Sequence, residues 1–88
     1  MSVATPSIIS IQVLLFARYA EVLGHDEVTV ALPEPVTVRD VMAHLRTLPG
    51  GDRLPPRPLC AVNLAQVPED TVVRSADEVA VLPPLAGG

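Results

Sequence analysis

Apolar and polar positions change rhythm along the chain, and the changes mark its elements. Ser10 to Phe16 (S-I-Q-V-L-L-F) is β-rich and turns apolar on both faces toward its end, which predicts a strand inside a sheet. Ala17 to Leu23 predicts a short helical turn, with Arg18 and Glu21 on its outer side and Gly24 as its stop. From Asp26 to Leu32 the apolar Val28, Val30 and Leu32 alternate with polar or small residues, a half-buried strand that ends at Pro33. Thr37 followed three positions later by Asp40 predicts a helix N-terminus. Val38, Val41, Met42, Leu45 and Leu48 then recur at helical spacing, with Arg39, Asp40, His44 and Arg46 away from that stripe. Pro49-Gly50-Gly51 ends the helix, and a Pro- and Gly-rich loop runs on to Pro58. Leu59 to Leu64 predicts a strand, with Asn63 near a turn because Asn tolerates left-handed backbone geometry. Gln66-Val67 is a short strand, Pro68 to Ala76 a turn-rich connection, and Glu78 to Leu82 (E-V-A-V-L) the final strand.

The order is therefore β, β, α, β, short β, β. The first two strands pair as a hairpin, and the one substantial helix packs across a face of the sheet. The first and last strands are the most uniformly apolar, which places them side by side in the centre with both faces covered. This α+β pattern resembles the ubiquitin-like β-grasp, a mixed sheet of about five strands with one main helix across it. Residues 1–9 are expected to be a flexible leader, 10–82 the β-grasp domain and 83–88 an extended C-terminal tail. No internal repeat or second domain is visible, and a fold of this kind does not by itself give a function.

Composition removes several function classes. The 88 residues carry a net charge of −4, with one Phe, one Tyr and no Trp. That sign repels phosphate backbones, and stacking platforms for bases are missing, so nucleic acid is excluded as a partner. All six basic residues are Arg and none is Lys, which genomic composition accounts for. It also leaves the chain without side-chain amines that an activated acyl group could modify. Cys60 is the single cysteine, so an internal disulfide or cysteine-rich metal site is ruled out, and a buried structural thiol is expected. His25 and His44 lie in different elements and read as surface residues; no metal site is expected. The acidic pairs Glu69-Asp70 and Asp77-Glu78 read as solvated turn residues. The start of the chain lacks the basic and apolar regions of a signal peptide, and no run is long enough to span a bilayer. The expectation is a cytoplasmic protein, with no membrane partner and no nucleophile–base pair or phosphate-binding loop of its own.

Candidate chemistry gathers at the C-terminus. After Leu82 the sequence reads Pro83-Pro84-Leu85-Ala86-Gly87-Gly88. Two prolines cannot continue a sheet interior, so the tail is expected to leave the domain as an arm. Six residues at about 3.3 Å each reach roughly 20 Å, enough to enter another protein's active site. Glycines in the last two positions can thread a narrow channel. A terminal carboxylate becomes an acyl donor once ATP converts it to an acyl-adenylate. A sulfur nucleophile can then displace AMP and leave a thiocarboxylate, so that the protein terminus acts as a group carrier.

From about Ile11 to Gly88 the sequence resembles the small subunit of molybdopterin synthase, the MoaD family. Val13-Leu14-Leu15-Phe16-Ala17 with Glu21-Val22-Leu23-Gly24 is similar to the family's first strand and turn, and Ala61-Val62-Asn63 to its central strand and following turn. Asp77 to Gly88, with Pro83-Pro84 and Gly87-Gly88, is the most specific match. The resemblance implies a sulfur carrier whose Gly88 bears the thiocarboxylate, with Gly87 behind it. It implies an apolar docking patch at Phe16 and Leu82, and an inserted arm of Pro83, Pro84, Leu85 and Ala86. Implied partners are the large synthase subunit, a ubiquitin-activating-like adenylyltransferase and a cysteine-desulfurase or rhodanese sulfur source. The acceptor would be cyclic pyranopterin monophosphate, and two small and two large subunits would form the enzyme. No cofactor is expected on this chain; ATP-Mg is used by the activating enzyme. Ser75-Ala76-Asp77 departs from the Asp-Gly-Asp common in the family, so the turn there is expected to differ, since Ala tolerates positive φ poorly. Related carriers for thiamine, tRNA thiolation or cysteine synthesis share the same tail chemistry, and a ubiquitin-like modifier shares the activation step but ends in an isopeptide bond.

Overall fold

The computed structural model describes residues 7–83. Its strands are β1 (Ile8–Leu15), β2 (Glu27–Pro33), β3 (Val36–Thr37), β4 (Leu59–Val62), β5 (Ala65–Gln66), β6 (Val72–Val73) and β7 (Glu78–Leu82). Two α-helices, α1 (Arg18–Leu23) and α2 (Val38–Arg46), and a 3₁₀ turn at Gly51–Arg53 complete the elements. Five strands form one mixed sheet in the order β2-β1-β7-β4-β5, and β3 pairs with β6 apart from it. The first and last strands are neighbours and run parallel, with Val13 beside Val79 and Leu15 beside Val81. This is the mixed sheet of the ubiquitin-like β-grasp, as the apolar pattern predicted.

Alternation along β1 sends Ile9, Ile11, Val13 and Leu15 to one face, where they are buried with Val79 and Val81 of β7. Helix α2 closes that face with Val38, Val41, Met42 and Leu45, all in the same core cluster. Its N-terminus is the expected one. Thr37 Oγ1 accepts from the Asp40 amide at 3.2 Å, and Asp40 Oδ2 accepts from the Thr37 amide at 2.9 Å, closing a reciprocal capping box.

Several boundaries move. The strand expected from Ser10 begins at Ile8, inside the segment expected to be a leader. Ile8 and Ile9 are β-branched and lie opposite Pro33 and Leu32, and Ser7 accepts a hydrogen bond from the Glu34 amide at 2.9 Å. Helix α2 ends at Arg46 rather than Leu48, because the Thr47 hydroxyl and amide both turn back onto the His44 carbonyl. Strand β4 stops at Val62, where Asn63 (φ 49°) and Leu64 (φ 73°) make a two-residue hairpin loop, so the next strand is Ala65–Gln66 rather than Gln66-Val67. The central strands are not covered on both faces: the sheet face away from α2 leaves Leu14 and Leu82 half-buried and Phe16 exposed.

Candidate functional site: the sheet end from which the tail departs

Strand β7 delivers the chain to Pro83, the last described residue, and its neighbours define what surrounds that exit. Leu82 lies directly opposite Leu59 of β4. On its other side the parallel register ends with Leu15 beside Val81, and Phe16 and Leu82 are the next residues along the two segments. All three side chains belong to the sheet face turned away from α2, because the intervening positions Leu15, Cys60 and Val81 are in the core. The next row on that face is Leu14, Ala80 and Ala61. Phe16 is 43% exposed, Leu14, Leu59, Ala80 and Leu82 are half-buried, and Ala61 is covered. One row further from the exit the face turns polar, at Gln12 and Glu78. Gln12 Nε2 donates there to Glu27 Oε1. The result is an apolar patch with a polar border, the general anatomy of a docking surface.

Local structure fixes the patch. Ala17 turns the chain off the sheet immediately after Phe16 with φ 52° and ψ −124°, a conformation that L-residues seldom adopt. That turn starts α1, which drops Tyr19 and Leu23 into the core and ends at Gly24 in the left-handed region (φ 75°). At the far end of β7, Asp77 accepts from the Arg74 amide at 2.8 Å and from Asn63 Nδ2 at 2.9 Å, while Asn63 Oδ1 accepts from the Glu78 amide at 3.0 Å. Asp77 is thus a turn-building residue rather than simply a solvated one. Ala76 sits in this turn without a positive φ. Glu69 likewise has a partner, Arg39, at 3.2 Å on the surface.

The residues match a known family over most of their length: the ThiS family fits residues 13–88. The chain belongs to that family. Curated relatives within reach of this ThiS-family chain are molybdopterin synthase sulfur carrier subunits. The one from Arabidopsis thaliana is 30% identical over 93% of this chain and 86% of the relative. The one from Chlamydomonas reinhardtii is 36% identical over 89% and 98%. Among solved structures, SAMP1 (small archaeal modifier protein 1) from Haloferax volcanii superposes with a TM-score of 0.76 at 27% identity, covering 90% of this chain and 99% of the other. The β-grasp assignment and the resemblance to the molybdopterin synthase small subunit both rest on these relationships as well as on the topology.

Of the site residues expected from sequence, the structure brings Phe16, Leu82 and Pro83 to one end of one sheet face. Pro84, Leu85, Ala86, Gly87 and Gly88 lie outside the described residues. Sequence reasoning missed Leu14, Leu59 and Ala80 as members of the patch. The signal was present: apolar residues on both faces of β1 were read as a strand covered twice, whereas α2 covers one face only. Cys60 is buried at 4% exposure, as expected, and burial pushes its thiol up to about 11, with Glu69 adding to the shift and Arg46 opposing it. Such a thiol is almost entirely protonated at neutral pH, which makes it a poor nucleophile. Among the described residues no group of His, Cys, Asp and Glu could hold a metal ion, and no helix is long and apolar enough to cross a membrane.

Proposed function

We propose that this chain is the sulfur-carrier subunit of a molybdopterin synthase, delivering sulfur from a thiocarboxylate on Gly88 to cyclic pyranopterin monophosphate. The observation that carries the reading is the kinship with curated molybdopterin synthase sulfur carrier subunits over about nine-tenths of the chain, in a family match that runs through Gly88. The apolar patch beside the tail exit supports it, because an arm that enters a partner's active site needs an adjoining surface to anchor its root.

In this reading an adenylyltransferase uses ATP-Mg to convert the Gly88 carboxylate to an acyl-adenylate. Sulfur supplied by a cysteine-desulfurase or rhodanese route displaces AMP. The tail then enters the large subunit, which contributes the catalytic side chains, while Phe16, Leu82 and their neighbours hold the domain in place. This chain supplies the reacting terminus and the docking face, and binds no cofactor itself. The lack of Lys suits the role, since an activated terminus meets no side-chain amine of its own chain. The reducing cytoplasm is the compartment in which a lone free cysteine is at home.

Deleting Gly88, or adding one residue after it, is expected to abolish sulfur transfer and to leave the unfolding midpoint unchanged. A truncated chain that still supported transfer would sink the reading. The likeness to SAMP1 favours a second reading, a modifier joined to lysines of other proteins. It shares the adenylation step and ends in an isopeptide bond, which mass spectrometry of conjugates distinguishes from a released thiocarboxylate.

A further inference from the structure

The opposite edge of the sheet from the β4–β5 hairpin carries a second feature, independent of the tail. Strand β2 is an outer strand, seven residues long and open on one side among the described residues. The Leu15 amide donates to the Asp26 carbonyl and the Glu34 amide to the Ser7 carbonyl, each at 2.9 Å, at the two ends of the β1–β2 ladder. In an antiparallel pair that pattern recurs at every second residue. The backbone groups of Val28, Val30 and Leu32 are therefore spent on β1. Those of Glu27, Thr29 and Ala31 point outward, with the Pro33 carbonyl beyond them.

Beside this edge, on the helix side, runs a groove of about 490 Å³ between β2 and α2. Leu32, Pro35 and Val36 form its apolar floor, and the exposed Ala43 leaves room above it. Its rim holds Asp40 and His44, and Glu34 follows just beyond the strand; no Arg lines it. An edge of free amides and carbonyls accepts an extended backbone, the groove accepts alternate apolar side chains, and the carboxylates favour a basic flank.

We propose that β2 and this groove bind an extended segment of a partner protein, with alternating apolar side chains and basic residues at one end, as an added strand of the sheet. The site uses the other edge and the other face from the apolar patch at the tail exit. A partner can therefore be held there while the C-terminus is engaged elsewhere.

The test is amide exchange by NMR on the full chain, probed with an acetylated, amidated peptide of two arginines followed by alternating valine and threonine. Without peptide, the Thr29 and Ala31 amides are expected to exchange fast and those of Val28 and Val30 slowly. Peptide should slow Thr29 and Ala31 and shift Ala43 and His44. Ala31→Pro removes one outward donor and leaves the β1 ladder intact, so it should weaken binding about fivefold or more. Should that variant not fold, Ala43→Arg, on the exposed side of α2, fills and recharges the groove and should weaken binding as much. Replacing the peptide's arginines by glutamates should do the same. No protection with peptide, or shifts confined to Phe16 and Leu82, would overturn the proposal. So would protection of Thr29 and Ala31 that grows with protein concentration in the absence of peptide, which would make a second copy the occupant.

Discussion

Leu64 shows how a single residue can stand against its own backbone. It is 92% exposed, and with Asn63 it forms a two-residue loop in which both φ angles are positive. Loops of that kind favour Asn-Gly, because a side chain at the second position clashes with its own carbonyl. Leu64→Gly is therefore expected to stabilise the fold by about 0.5–1 kcal/mol, measured as a raised urea midpoint. Cys60 makes the second prediction at this scale. Burial favours its neutral thiol, so this contribution to stability is fully present below the ordinary value of 9.0 and is lost as pH rises toward about 11. The difference in unfolding free energy between the parent and Cys60→Ala should shrink across that window, and native Cys60 should react with thiol reagents far more slowly than the unfolded chain. Asn63 was legible as a turn residue because its tolerance of left-handed geometry is intrinsic. Leu64 was not, because nothing in a leucine announces a positive φ that the surrounding hairpin imposes.

Elements were legible in proportion to how local their causes are. The start of α2 was readable because Thr37 and Asp40 cap each other within one turn, and its buried stripe because helical spacing is a sequence property. The β3–β6 pair escaped: Val36-Thr37 and Val72-Val73 are too short to show a period, and they exist only because the chain returns to pair them. The connection after α2 read as a plain loop, yet it is tightly set. A Cβ on Gly51 would lie 2.1 Å from the Leu45 carbonyl oxygen, and one on Gly50 would lie 1.9 Å from that of Val22. These contacts lock the loop against both helices, and backbone cannot move aside as a flexible side chain can. Gly51→Ala is expected to cost about 2–4 kcal/mol in urea unfolding. A loss below about 0.5 kcal/mol would mean that the loop is free to shift. The Arg39–Glu69 pair, by contrast, is exposed on both sides and contributes at most about 1 kcal/mol.

At the scale of the molecule, the main helix covers one face of the five-stranded sheet, and among the described residues nothing covers the other. That face is polar at Gln12 and Glu78, and the end next to Pro83 is apolar and includes Phe16, Leu82 and Leu59. The tail motif was legible because the diglycine is a sequence feature; the carrier chemistry proposed for it rests on that feature and on the kinship with sulfur carrier subunits. The extent of the patch was not, since Leu14, Leu59 and Ala80 join it only through strand pairing. The most direct measurement is intact-mass spectrometry of the chain with Gly88 as its terminus, incubated with ATP-Mg, a cognate adenylyltransferase and a persulfide source. A mass gain equal to sulfur replacing one oxygen is expected, and it should be lost again when the large subunit and cyclic pyranopterin monophosphate are added. No gain with a demonstrably active charging system would contradict the sulfur-carrier role. A gain that persists in the presence of both would contradict the assignment to molybdopterin synthase.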